Sequence, residues 1–458
     1  MQALAFKNSF KKIKKDYYIY FYLLVTVILT ITSGKDILLL GNVVLLGVIV
    51  SFAFLKNEKI LLLFTILVSL IYEGIPSFGT YIVMYMYVMM LISLLTRKEK
   101  ISIDRTILIV GGISLLLSVA PLLANGISIP LLLFSVLKRF GFLIVYIFTI
   151  NIRSLNNKFK KMIMKFIIVI LIINFLFALV QFEQGILTQD FITGFFGGGM
   201  TGIVMYLFML YISILSGAHY QKKLSTLLYL ILTLIPVVYA AIAEVKIGFI
   251  TTGVLLIIYL LIINRSYKSF LYLLICVFVF LNLYALFVKI YPAHDFLNEE
   301  FLETYLVEQN YGDEGSVNRF GFKSQIDEII FSNNTEVLFG KGLGSGNPSE
   351  MEMLKGDLYN QYDYLKFRWF TIPYLYVETG SIGTTLYILI YLIPLISAIR
   401  YFWKKKTALS VTLILMGLTN MLYLPYNSGI FHYGITTVYW IYVGLLACEK
   451  RNEFKVNI

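Results

Sequence analysis

Charge is scarce in this chain. Only 14% of its 458 residues are Asp, Glu, Lys or Arg, against 59% that are hydrophobic, and the mean hydropathy is +0.81. That balance excludes an ordinary soluble globular domain. Cysteine is rarer still: Cys276 and Cys448 both fall within apolar runs, which argues against a disulfide framework and against a zinc site. No Asp-x-Asp pair occurs and the acids are scattered, so no metal or other cofactor is expected. No internal repeat is evident, which disfavours a carrier built from duplicated halves.

What fills the sequence is apolar segments. Fourteen of them lie near 17–32, 37–55, 60–72, 80–96, 107–123, 131–150, 166–180, 200–217, 224–243, 247–263, 270–288, 372–397, 408–424 and 431–448. Most approach the ~20 residues that cross a hydrocarbon core as a helix. The expected fold is an all-α polytopic membrane protein of about fourteen transmembrane helices, with twelve as the lower bound. The N-terminal basic region and first apolar run lack a small-residue cleavage site before the next run, so an uncleaved first helix is expected.

Positive charge sets the expected orientation, because Lys- and Arg-rich loops stay in the cytoplasm. With the N-terminus inside and fourteen alternating spans, 27 of the 38 basic residues fall inside, 9 outside and 2 within the sixth span. The net charge of +12 is then topology signal and attraction to anionic membrane lipids, and nucleic acid is not an expected partner. Three regions follow: helices one to eleven over 1–288, an extracytoplasmic excursion over 289–371, and three closing helices with a basic cytoplasmic tail over 372–458. The excursion holds 14 of the 26 acids against 7 basic residues, and a loop of that length is usually functional. Within it FLNEEFLETYL (296–306) and VNRFGFKSQIDEII (317–330) have apolar residues at helical spacing, and Gly340, Gly342, Gly344 and Gly346 mark turns.

The few charges in apolar segments are the candidate functional residues, since an ionisable group at the bilayer centre costs at least ~2.5–3.5 kcal/mol. Lys138 and Arg139 lie inside the sixth span. Glu244 and Lys246 separate the ninth and tenth, and Glu378 lies near the outer end of the twelfth. All point to the side of the long loop, where one mixed-charge pocket can form. Lys246 heads a helix whose positive end faces outward, which makes an anion site suited to a diphosphate. Glu244 and Lys246 equally suit a simple turn between helices, Glu378 a first-turn carboxylate, and Lys138 and Arg139 a pair of snorkelling cations.

Four stretches, in order, resemble the bacterial O-antigen and capsular polysaccharide polymerase/ligase superfamily. They are ITGFFGGGMTGIVMY (192–206), AEVKIGFITTG (243–253), SVNRFGFKSQIDEIIFSNNTEVLFGKGLGSG (316–346) and YLYVETGSIGTTLY (374–387). Lys246 stands at a family arginine and Arg319 matches another. Lys246 keeps the charge but not the bidentate fork. The stretch NQYDYLKFRWFTIPY (360–374) lacks the histidine that ligases carry before the closing helices, and the only loop histidine is His294, which favours polymerase over ligase.

The resemblance implies a glycosyltransferase related in architecture to the GT-C type, working at the outer face of the bacterial cytoplasmic membrane. Its substrate is an undecaprenyl-diphosphate-linked oligosaccharide repeat unit, elongated without a metal into an O-antigen, capsule or exopolysaccharide. A flippase and a chain-length regulator of the same pathway are the implied partners. Lys246, Arg319, Arg139 and Lys138 are then the diphosphate-binding candidates. Glu378, Glu244 and Asp363 are candidate bases, and Tyr364 and Trp369 are candidate sugar-stacking residues. A ligase-like glycan transferase, a lipid-linked oligosaccharide flippase and a transporter are the competing readings.

Overall fold

The computed structural model describes residues 57–71, 79–125, 128–153, 155–185, 191–263, 267–290, 315–349 and 351–456. The first two apolar segments, the 296–306 segment and His294 lie outside these residues. The chain is all-helical, with 78% helix and no strand among the described residues. In order the helices are α1 (Glu58–Ile71), α2 (Gly79–Leu95), α3 (Arg105–Asn125), α4 (Ile129–Phe140), α5 (Phe142–Ile150), α6 (Asn157–Glu183), α7 (Thr201–Tyr220) and α8 (Thr226–Ile242). They continue as α9 (Lys246–Ile257), α10 (Tyr267–Ile290), α11 (Phe322–Ile329), α12 (Asn334–Phe339), α13 (Asp357–Tyr362), α14 (Thr371–Lys404), α15 (Ala408–Tyr423) and α16 (Tyr433–Val456).

A helix thus occupies each apolar segment from the third to the fourteenth. By length and composition, α6, α7 and α14 are fit to cross a membrane, and α4 with α5 makes a fourth if the bent pair is one span. Large apolar side chains face outward on several helices, among them Leu108 and Leu115 on α3, Leu133 on α4, Leu227 on α8 and Phe278 on α10. A soluble domain rarely exposes so many; a bilayer is the solvent that suits them.

The bundle is organised around α7. It is apolar on every face, nearly all of its residues are buried, and it packs along α15, α8 and α9, as a helix without a polar stripe must. Its 20 residues span roughly 30 Å at 1.5 Å per residue. Thr201 to Ile203 line a cavity at one end, and Gly217, Ala218 and Gln221 line another at the opposite end. α15 runs antiparallel to it, starting at the second cavity with Ala408 and leading through Tyr423 toward Tyr426 at the first. Basic groups gather at the second end. Arg97 donates to the Asn151 carbonyl and Arg451 to the Ile150 carbonyl at 3.0 Å. Lys160 lies 4.0 Å from Glu449.

The sixth apolar segment corrects the expectation of one straight helix. It breaks at Gly141 into α4 and α5, bent by 51°. A Cβ at Gly141 would fall 2.5 Å from the Tyr87 ring, so the glycine lets α2 approach at the bend. The break also gives α4 a C-terminus, where the cations Lys138 and Arg139 complement the last-turn carbonyls.

The 315–371 segment is docked rather than splayed into solvent. Ser316, Val317, Asn318 and Arg319 are buried, as are Leu343, Asn347, Leu365 and Phe367. Its anchor is a kink in α14. Gly380 has φ 64°, and beside it the Val377 and Glu378 carbonyls accept from the backbone N–H groups of Lys341 and Gly342 at 2.8 and 2.9 Å. Carbonyls turned out of a helix by a kink need such partners. The approach is backbone to backbone: a Cβ on Gly340, itself at φ 74°, would lie 2.4 Å from Thr379 N, and one on Gly380 would lie 2.3 Å from Leu338 C. Here the expected glycine turns serve to seat the loop on the bundle.

Candidate functional site

The charges expected to share one pocket divide into two groups. Arg139 and Glu378 form a buried ion pair, Nη2 to Oε2 3.1 Å, with side chains 2% and 1% exposed. The guanidinium lies between the rings of Tyr374 and Phe431, 4.2 and 3.8 Å from their centroids. The other Glu378 oxygen accepts from Gly344 N–H at 3.1 Å. Lys138 donates to Asn347 Oδ1 at 2.8 Å, and Gly344 abuts Ser135. One turn of α4 therefore pins the glycine loop and the kinked helix together. These three charged residues hold architecture and do not line the cavity described next.

That cavity, of about 280 Å³, is walled by Lys246, Glu244, Arg319, Trp369, Phe370 and Tyr426 and floored by the start of α7. Each wall has a local cause. Helix α8 ends at Ile242, with Val245 N–H closing onto the Ala240 carbonyl at 3.0 Å. Glu244 takes the left-handed position of that turn at φ 57°, a place usually given to glycine because any Cβ is disfavoured there. The turn reading of Glu244 and Lys246 is therefore correct as geometry, but glycine would make the turn at less cost. Lys246 opens α9 and interacts electrostatically with Glu244 and Arg319. Arg319 is 5% exposed. Its guanidinium lies 5.1 Å from the Phe370 ring centroid and 5.0 Å from that of Tyr426, and its Nε donates to the Tyr426 carbonyl at 3.4 Å.

Four positive sources thus meet: two cations and the N-terminal ends of α7 and α9, where backbone N–H groups lack intrahelical acceptors. The sequence reading missed the 425–428 turn. Asn427 Oδ1 accepts from Gly429 N–H at 2.9 Å, the Asn427 carbonyl accepts from Thr371 Oγ1 at 2.6 Å, and Asn427 Nδ2 is buried with no acceptor among the described residues. A neutral asparagine in a short inter-helix turn carries no sequence signal comparable to a charge in an apolar run.

Asp363 and Tyr364 lie elsewhere on the loop. Asp363 pairs with Arg368 and, at 3.4 Å, with Lys366. Partial burial works to raise its pKa, but the bonds and charges of Arg368 and Lys366 outweigh that and hold the carboxyl below the usual range, which makes it a weak base. Tyr364 is half exposed and its ring lies 6.5 Å from that of Tyr362. Among histidines, His219 is satisfied by Tyr259 Oη at 2.6 Å and Thr226 Oγ1 at 3.1 Å. No group of three or more metal-ligating side chains occurs among the described residues.

Compared with known proteins, the chain matches no family model and no curated sequence.

Proposed function

We propose that this chain is a membrane glycosyltransferase that polymerises lipid-diphosphate-linked oligosaccharide units, and that the cavity at Lys246 and Arg319 receives the diphosphate. The observation that carries the reading is the convergence of both cations with two helix N-termini on one aromatic-walled cavity. Fixed donors of this kind are what a departing diphosphate requires, because charge develops on its oxygens as the bond breaks. Trp369, Phe370 and Tyr426 offer faces on which a sugar ring stacks.

The step balances without a nucleotide. An acceptor sugar hydroxyl attacks the anomeric carbon of the donor, a new glycosidic C–O bond forms, and the C–O bond to the diphosphate breaks with its electron pair leaving on phosphate oxygen. Glu244, on the cavity wall, is positioned to take the hydroxyl proton. Lys246 and Arg319 neutralise the leaving group, and Asn427 Nδ2 adds a neutral donor. Arg139, Lys138 and Glu378 act as positioning residues, fixing the loop that carries Arg319 and Trp369. In this orientation the cavity faces outward and the lysine-rich end of the bundle faces the cytoplasm.

Gel analysis of surface polysaccharide from a strain lacking this chain tests the reading. The expected product is glycan of a single repeat unit, with the ladder restored by the intact chain. Loss of lipid-linked units from the outer leaflet instead would mark a flippase and overturn the assignment.

A further inference from the structure

A second cavity, of about 300 Å³, lies at the other end of α7 and plays no part in the chemistry above. Lys160 and Lys161 reach it from the first turns of α6, Lys223 from the turn after α7, and Glu449 from α16. Three lysines from two separate chain segments thus line the cavity with one carboxylate, and Lys223 Nζ also donates to Gln221 Oε1. Lys160 lies 4.0 Å from Glu449 and its side chain is 17% exposed. Burial is the largest influence lowering the Lys223 pKa; Lys161 and Lys160 add to it as like charges, while Glu449 partly offsets them. The ammonium groups are thus close enough to feel one another, and a cleft with an excess of one sign of charge concentrates counter-ions.

Asn157, Gln221 and Thr412 add polar groups to the lining, and one flank is apolar and belongs to the bundle: Met164, Ile214, Leu409, Tyr442 and Leu445. A cavity with cations at its mouth and an apolar flank between helices has the two-part chemistry of a phospholipid, an anionic head and acyl chains. It lies roughly 30 Å from the first cavity along α7, the thickness of a hydrocarbon core, so the lysines sit at headgroup level when the bundle spans the bilayer. A free phosphate would use the lysines and leave the apolar flank without purpose.

We infer that Lys160, Lys161 and Lys223 form a binding site for the phosphate headgroup of an anionic phospholipid, one of whose acyl chains enters the cavity beside the partly exposed Met164 and Leu409. The site is independent of the proposed glycosyl transfer, and its test reads lipid binding without activity. The full-length protein, purified in a neutral detergent, is titrated with phosphatidylglycerol, phosphatidylcholine or inorganic phosphate while its thermal unfolding is followed. Phosphatidylglycerol should raise the melting temperature saturably, whereas phosphatidylcholine and millimolar inorganic phosphate should not. Lys160→Gln/Lys161→Gln/Lys223→Gln should weaken the half-saturation by more than tenfold, at about fivefold per lysine near a headgroup. Lys161→Glu alone, at an exposed position, should weaken it severalfold and keeps the test open if the triple variant fails to fold. Removing Lys404, Lys405 and Lys406, exposed on the same end, should change little. An unaltered titration in both lysine-site variants, an equal loss in the 404–406 variant, or equal stabilisation by inorganic phosphate would each overturn the site.

Discussion

Arg139 shows how a residue that looks functional from sequence can be committed to structure. Its charge is as rare in an apolar run as that of Lys246, yet its guanidinium is enclosed by Glu378, Tyr374 and Phe431. Breaking a buried pair by removing one partner typically costs about 3–5 kcal/mol, whereas replacing both by apolar groups is often tolerated. Arg139→Ala or Glu378→Ala should therefore sharply lower the yield of folded, membrane-inserted protein, and Arg139→Met/Glu378→Leu should recover part of it. Equal losses in the singles and the double, measured by detergent-solubilised monodisperse yield, would contradict the structural role. Asp363 supports a sign-defined expectation. Its folded pKa is depressed, so the pairing contributes fully above the unfolded value near 3.9 and is lost only as pH falls through the folded one. Asp363→Asn should accordingly leave the pH profile of elongation unchanged above about pH 5; a lost acidic limb in that variant would make Asp363 a base after all. Lys246, Glu244 and Arg319 were legible because charges are few. Asn427 and Tyr426 were not, since neutral residues in a four-residue turn are indistinguishable from other turns until the fold places them against the start of α7.

At the scale of elements, apolar runs located the helices, and what they hid was where the helices bend. The break at Gly141 and the kink at Gly380 arise from what packs against them, the Tyr87 ring and the backbone of Leu338. Neither partner is near in sequence, so hydropathy cannot register the contact. The loop shows the same limit: nothing in its sequence marks Lys341 and Gly342 as the residues that give their N–H groups to α14. Gly340→Ala and Gly380→Ala should each undock the loop, because a side chain would meet backbone closer than any real contact and would also occupy left-handed φ, a combined cost of at least ~2 kcal/mol. Limited proteolysis reads this directly, with cleavage between 315 and 371 accelerated in both variants. Unchanged cleavage would show that the seat of the loop lies elsewhere.

For the whole molecule, the proposed function places the two ends of α7 on opposite sides of a membrane. Ser324 and Thr335 are exposed on the loop end, and Lys222 and Lys405 on the lysine-rich end. Single cysteines at the first pair should react with an impermeant thiol reagent added to intact cells, and cysteines at the second pair only after lysis. Ser316 and Ser345 lie on the same loop but are buried, which makes them poor reporters. On the proposed function, elongation needs no divalent ion. Lys246, Arg319 and two helix ends supply positive charge where a nucleotide-sugar transferase places a metal, so EDTA should leave product length unchanged.

The most direct measurement is chain elongation by the purified protein on an undecaprenyl-diphosphate-linked repeat unit, comparing Lys246→Ala, Arg319→Ala and Lys246→Arg with the unaltered chain. Truncating one charged partner of a buried contact costs about 2–5 kcal/mol, so each alanine variant should lose well over tenfold in elongation while remaining folded and inserted. Lys246→Arg should keep the ladder, because it preserves charge and adds the bidentate fork of N–H donors. Near-normal ladders from both alanine variants would contradict the account, leaving Glu244 and Lys246 as a helix turn and the cavity without its diphosphate.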